Sequence, residues 1–160
     1  MCRDNLQAAG QGPGHAAGSR SRGQTLKRIR VMVVDDSLQF ASAVAQFLAC
    51  NGDFEVLASA NSGGEALART PAEQPDLMFI DIGMPGMNGF AVASLIKGRG
   101  AAPKIVMMTL EDSEENRIGA MAAGADAFLS KDSFAHGLHA VVEALFGTSG
   151  LNKEPRAWDA

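Results

Sequence analysis

Five short apolar runs separated by stretches of helical spacing constrain this chain more than any other feature. The runs are IRVMVV (29–34), FEVLAS (54–59), DLMFID (76–81), KIVMMT (104–109) and DAFLSK (126–131). Each is rich in Val, Ile, Leu, Met or Phe and bounded by Gly, Pro, Asp or Asn, as expected of strands buried on both faces. Between them, Phe40, Val44, Phe47 and Leu48 share one helical face, and Phe134, Leu138, Val141, Val142 and Leu145 share another. SGGE (62–65) fits a capping box opening a short second helix, and NGFAVASLIKG (88–98) and EDSEENRIGAMAAG (111–124) are the remaining helical candidates. Glycines at 52, 98, 124 and 147 stand where helices should stop. This alternation implies an α/β protein: an open, doubly wound parallel sheet with helices on both faces and right-handed crossovers. Such sheets bind ligands at the carboxyl ends of their strands, beside the point where strand order reverses.

The polar residues converge on that edge. Asp35 and Asp36 end the first run, Asp81 the third, Thr109 the fourth and Lys131 the fifth. Taken singly, an Asp at a strand end caps a helix, a Thr suits a strand and a Lys is a solvated charge. Taken together, they indicate a site. Three carboxylates within a few ångströms repel by roughly 4 kcal/mol per close pair at an effective dielectric near 20, so a cation is needed among them. Hard oxygen ligands with room for water suit Mg²⁺, which leaves coordination positions for phosphate oxygens. Lys131 adds a positive charge and Thr109 a hydroxyl donor, which makes a site suited to moving a phosphoryl group onto a carboxylate.

Charge and composition narrow the alternatives. Residues 1–30 carry six basic residues (Arg3, Arg20, Arg22, Lys27, Arg28, Arg30) against Asp4, leaving 8 basic and 17 acidic residues in the other 130. An acidic body argues against nucleic acid as its main partner. Through Gln24 the chain has five glycines and almost no bulky apolar side chain, so a disordered basic tail is expected over 1–28, with one domain over 29–147 and a tail over 148–160 in which Trp158 is the one large aromatic. No apolar run approaches the roughly 18 residues of a membrane span, and the first 25 residues lack the apolar core of a secretory signal, so a cytoplasmic location is expected. Cys2 and Cys50 suggest neither a disulfide framework nor a metal knuckle, and Cys50 reads as an incidental small apolar residue. His136 and His139 read as an exposed helical face for want of a third ligand; Met84 and Met87 read as loop packing, Met107 and Met108 as strand core.

VVDDS (33–37), DIGMPGMNG (81–89), MMT (107–109) and FLSK (128–131), separated by 45 residues from Asp36 to Asp81, 28 to Thr109 and 22 to Lys131, resemble the receiver domains of two-component response regulators. The resemblance covers residues 29–147. It implies a flavodoxin-like (βα)5 fold with strand order 2-1-3-4-5 and a signalling domain rather than an enzyme in the ordinary sense. Asp81 would accept phosphate from a sensor histidine kinase or phosphotransfer protein. Asp36 would bind Mg²⁺ directly, Asp35 mainly through water, and Asp81 and the Gly83 carbonyl would complete the set. Thr109 would hydrogen-bond the phosphoryl group and Lys131 would pair with it. Phe128 matches the switch aromatic that turns inward when Thr109 moves. The implied output is a remodelled face of the fourth helix, fifth strand and fifth helix that controls a downstream protein target and often favours a homodimer.

Several positions depart from the family pattern. Asp132 stands where many members have a proline after a cis bond, and a cis bond here would cost about 2.5–4 kcal/mol. Lys-Asp at this place resembles receivers joined to helix-turn-helix DNA-binding domains, yet no such domain follows Gly147, which leaves a stand-alone receiver or the receiver part of a regulator whose output domain is missing. Gly83 and Glu111 occupy positions that influence dephosphorylation in the family. Rival readings fit less well: an FMN binder lacks its phosphate loop, a haloacid-dehalogenase-type phosphatase lacks a second Asp at position 83, and a phosphorylation-independent interaction module has no use for the complete acceptor set.

Overall fold

The computed structural model describes residues 27–147. It contains, in order, β1 (Ile29–Val34), α1 (Leu38–Ala49), β2 (Phe54–Val56), α2 (Gly63–Glu73), β3 (Leu77–Asp81), α3 (Gly89–Lys97), β4 (Lys104–Thr109), α4 (Glu114–Ala122), β5 (Ala127–Ser130), a 3₁₀ turn (Lys131–Ser133) and α5 (Phe134–Phe146). The strands form one sheet in the order β2-β1-β3-β4-β5, every neighbouring pair parallel. The expected doubly wound fold and strand order are both found. Nearly all of the tails expected over 1–28 and 148–160, with Cys2 and Trp158, lie outside the described residues.

Alternation along the central strands makes two cores. Val31 and Val33 of β1, Leu77 and Phe79 of β3, and Val106 and Met108 of β4 face α1 and α5, where Val44, Leu48, Phe134, Leu138 and Val142 meet them. Met32 and Val34, Met78 and Ile80, and Ile105 and Met107 point to the other face, against Ala66, Val92, Ala93, Ile96 and Ala120 of α2, α3 and α4. β3 is buried along its whole length, which is why it reads as an unbroken apolar run. The edge strands are only partly covered. β2 accordingly stops at Val56, short of the expected Ser59, and the segment beyond it stays attached to β1 through Leu57 N–H to Val31 O and Ala60 N–H to Val33 O. β5 ends at Ser130, so Lys131 opens the 3₁₀ turn instead of closing a strand.

Helix starts follow the side chains that cap them. Ser37, Ser62, Asn88 and Ser113 accept hydrogen bonds from the backbone N–H of Phe40, Glu65, Ala91 and Asn116. At Ser62 the capping box closes one residue early, because Glu65 accepts from Asn61 N–H rather than from Ser62. Pro71 lies inside α2 and offers no N–H to Leu67 O; Arg99 Nη1 donates to that carbonyl instead at 2.8 Å. No cis peptide bond occurs among the described residues, so the Lys131–Asp132 bond is trans. Cys50, expected to be incidental, is disulfide-bonded. No helix among the described residues is long and apolar enough to cross a membrane.

Phe134 joins the helical layer to the sheet. It is 6 % exposed, and its ring meets Phe40, Phe47 and Phe79 edge-on, at centroid distances of 6.4, 6.2 and 5.1 Å. Truncation to alanine should cost about 3–5 kcal/mol in urea unfolding. Leu38→Ala, at a position 68 % exposed, should stay within about 0.5 kcal/mol. Equal costs at the two positions would contradict this assignment of the core.

Candidate functional site

Sheet register brings the carboxylates together. Val34 pairs with Ile80, so the next residues, Asp35 and Asp81, leave neighbouring strands side by side. Asp81 itself pairs with Met108, and Thr109 with Ser130, which places Thr109 and Lys131 on the same edge. Asp35, Asp36 and Asp81 each offer a carboxylate oxygen within 4.8 Å of the others. Asp35 is fully buried and Asp81 is 6 % exposed, whereas Asp36 faces solvent.

Local turns aim these side chains. Asp35 Oδ1 accepts from Ser37 N–H at 2.8 Å, Asp81 Oδ1 from Gly83 N–H at 3.3 Å and Thr109 Oγ1 from Glu111 N–H at 3.1 Å. Each is a side chain bonding the backbone two residues on, so three strand ends close by the same device. Behind Asp81 the fit is tight: a Cβ on Gly89 would collide with the Asp81 carbonyl oxygen and lie 2.8 Å from Met107 Cε. Beside it the space is open, since a Cβ on Gly83 would meet nothing within 4 Å.

Lys131 reaches back from the 3₁₀ turn into this group. Its Nζ lies 2.6 Å from Asp35 Oδ2 and 3.4 Å from Asp81 Oδ1, with the side chain 7 % exposed. The Phe40 ring sits 4.5 Å from the ammonium and covers it, a role not evident from the sequence, where Phe40 reads only as a core position of α1. The ammonium is thus the close partner of the fully buried Asp35 Oδ2, while its approach to Asp81 is looser. Three carboxylates and one ammonium leave a net charge of −2. A hard divalent cation fits this set: three carboxylates whose oxygens lie within 4.8 Å of one another, and an excess charge that one such ion cancels.

Thr109 is buried on the same edge, and its hydroxyl accepts from Glu111 N–H. Phe128 is half-buried against the α2–α3–α4 core, with the Arg117 guanidinium 4.8 Å above its ring. Arg117 also pairs with Asp112 through two contacts of 2.6 Å. Its sequence signal is opposite charge at the residue before the cap of α4 and at the fourth residue within it, the two positions that a hydrophobic staple commonly fills. His136 is exposed and His139 lies 3.9 Å from Glu143, and among the described residues neither histidine joins a metal-ligating cluster.

Burial, and secondarily the Asp35 charge, raise the Asp81 pKa above the ordinary carboxylate value; Lys131 and the Gly83 N–H oppose this without overcoming it. A carboxyl whose pKa is higher in the folded than in the unfolded chain contributes stability below the unfolded value, and this is lost as pH rises through the folded value. Ionised Asp81 therefore costs stability at neutral pH. In EDTA at pH 7.5, Asp81→Asn should melt about 2–5 °C above wild type, and the gap should shrink as pH falls toward 4. A variant melting below wild type at pH 7.5 would contradict the charge strain described here.

Comparison with known proteins agrees with this geometry. The family model for the response regulator receiver domain matches residues 31–143. The nitrate/nitrite response regulator protein NarL of Escherichia coli is 28% identical over 102 residues, 64% of this chain and 47% of that protein. A protein-glutamate methylesterase/protein-glutamine glutaminase of Geobacillus kaustophilus is 37% identical over 109 residues, 68% of this chain and 31% of that protein. The chain thus spans about half, or less, of the curated relatives it matches. Among solved structures, the signal receiver domain of the response regulator NarL from Mycobacterium tuberculosis superposes with a TM-score of 0.67 at 29% identity, covering 77% of this chain and 97% of that one. The response regulator domain of Thermotoga maritima CheB gives 0.67 at 26%, covering 79% and 99%. A strand-end acidic cluster answered by one buried lysine, on a five-stranded sheet of this order, makes the chain a member of the response regulator receiver family.

Proposed function

We propose that the chain is a phosphoacceptor: Asp81 takes a phosphoryl group from a phosphohistidine on a sensor histidine kinase or phosphotransfer protein. The observation that carries this reading is the Lys131 ammonium set between Asp35 and Asp81 at 2.6 and 3.4 Å, with a net charge of −2 left over. An ion pair serving stability alone has no need of that surplus.

The residues divide the work. An Asp81 oxygen attacks phosphorus; the P–N bond to the donor imidazole breaks, its electron pair staying on the imidazole nitrogen, and an acyl phosphate is left on the carboxylate. Asp36 directly, Asp35 mainly through water, and Asp81 with the Gly83 carbonyl are the groups that would hold Mg²⁺. When bound, the ion supplies positive charge to the phosphoryl oxygens. Lys131 gives up its contact with the free Asp81 carboxylate to pair with the phosphoryl group, and the Thr109 hydroxyl turns toward it as a donor. Water later hydrolyses the acyl phosphate, and the open space at Gly83 leaves that approach unscreened. The only reactions the chain promotes are its own phosphorylation and dephosphorylation.

In this reading Thr109 and Phe128 carry the change to the face formed by α4, β5 and α5, which controls a downstream protein target and favours a homodimer. The domain works in the cytoplasm and does not itself bind nucleic acid.

Purified protein given Mg²⁺ and acetyl phosphate should gain one hydroxylamine-labile phosphate, while Asp81→Asn or added EDTA should abolish the label. Equal labelling of wild type and Asp81→Asn would refute the acceptor. An unlabelled wild type would favour an interaction module that signals without phosphate.

A further inference from the structure

Arg117 is not used by the chemistry above, yet it holds three parts of the molecule at once. It stands in α4, forms a two-pronged pair with Asp112 in the loop leaving β4, and lays its guanidinium 4.8 Å over the Phe128 ring on β5. Asn116, one residue earlier, donates from Nδ2 to Glu111 O at 2.9 Å and fixes the same loop to α4. That loop begins one residue after Thr109, whose hydroxyl already accepts from Glu111 N–H. Any shift of Thr109 toward Asp81 must therefore pull on Glu111 and Asp112, and through Arg117 on Phe128.

We infer that Arg117 is a positioning residue that clasps the β4–α4 loop to Phe128 and biases the domain toward its unphosphorylated arrangement. This rests on the acceptor reading above. A contact formed without phosphate, between elements that must move when phosphate arrives, stabilises the state in which it exists and lowers apparent affinity for whatever selects the other state. An ordinary helix staple explains the Asp112–Arg117 pair alone. It does not explain why the same guanidinium also covers an aromatic ring on a different element, two contacts that the fork of an arginine makes at once and the single ammonium of a lysine at position 117 would not. Both contacts lie where salt can screen them, since the Arg117 and Asp112 side chains are 54 % and 40 % exposed.

The test uses the full chain with Mg²⁺ and beryllofluoride as the phosphoryl probe. Arg117→Ala should bind beryllofluoride about 3–10-fold more tightly than wild type. Arg117→Lys, which keeps the pair and so the helix start, should retain the wild-type melting temperature and still show most of that gain. Raising NaCl to 1 M should bring wild type toward Arg117→Ala. Affinity unchanged or weakened in Arg117→Ala overturns the bias. Fluorophenylalanine labelling, with the Phe128 resonance assigned through Phe128→Leu, reads the clasp without any phosphoryl probe: Arg117→Ala should move that line and leave those of Phe79 and Phe134 in place. An unmoved line overturns the contact itself. A wild type that binds no beryllofluoride refutes the acceptor, and the regulatory role of Arg117 falls with it, whereas tight wild-type binding with no response to Arg117→Ala refutes the clasp alone.

Discussion

The structure depends on one compensation: a lysine ammonium inserted between two buried carboxylates at the end of a parallel sheet. Asp35 and Asp81 emerge from neighbouring strands because Val34 is in register with Ile80, and nothing in the apolar packing behind them would keep two anions there. Lys131 answers both from the far side of β4, reaching back from the turn that follows β5. The answer is incomplete. One positive charge faces three negative ones, and Asp81 keeps a raised pKa, so the folded domain holds an electrostatic strain that a divalent ion is suited to relieve.

That incompleteness links fold to function. The two apolar layers set the strand ends to within a residue, and the turns at Asp35, Asp81 and Thr109 convert that placement into side-chain direction. Gly89 lets α3 start against the Asp81 carbonyl, where any side chain would push the strand end away. The stabilising parts are thus behind the site and the strained ones in front of it, toward solvent.

Much of this was legible in the sequence because burial leaves a periodic trace. β1 and β4 have the bounds the apolar runs suggested, and the five polar residues at the run ends do share one edge. The second apolar run outlasts β2, since an edge strand needs less apolar length than a central one. The fifth run includes Lys131, one residue beyond the end of β5, because nothing local distinguishes the end of a strand from the start of a tight turn. Contacts made by long side chains across the fold left no such trace. Asp126, which accepts from Lys97 Nζ at 2.6 Å and from Ile105 N–H, has partners 29 and 21 residues away. Arg69, donating to Ser59 O and Ala58 O, and Phe40 over Lys131 are equally silent in a one-dimensional reading. Arg117 left half a signal: its spacing to Asp112 is visible, its ring partner is not.

The central claim, that acidic groups from separate strands form one divalent-ion site, is tested most directly by Mn²⁺ titration of the ¹⁵N-labelled protein, with paramagnetic broadening as the readout. At substoichiometric Mn²⁺ the account expects amide signals of Asp35, Asp36, Ile82 and Gly83 to vanish first, to return when excess Mg²⁺ is added, and those of α5 beyond Leu138 to persist. Broadening spread evenly over exposed carboxylates, or centred on Glu114 and Glu115 instead, would contradict it.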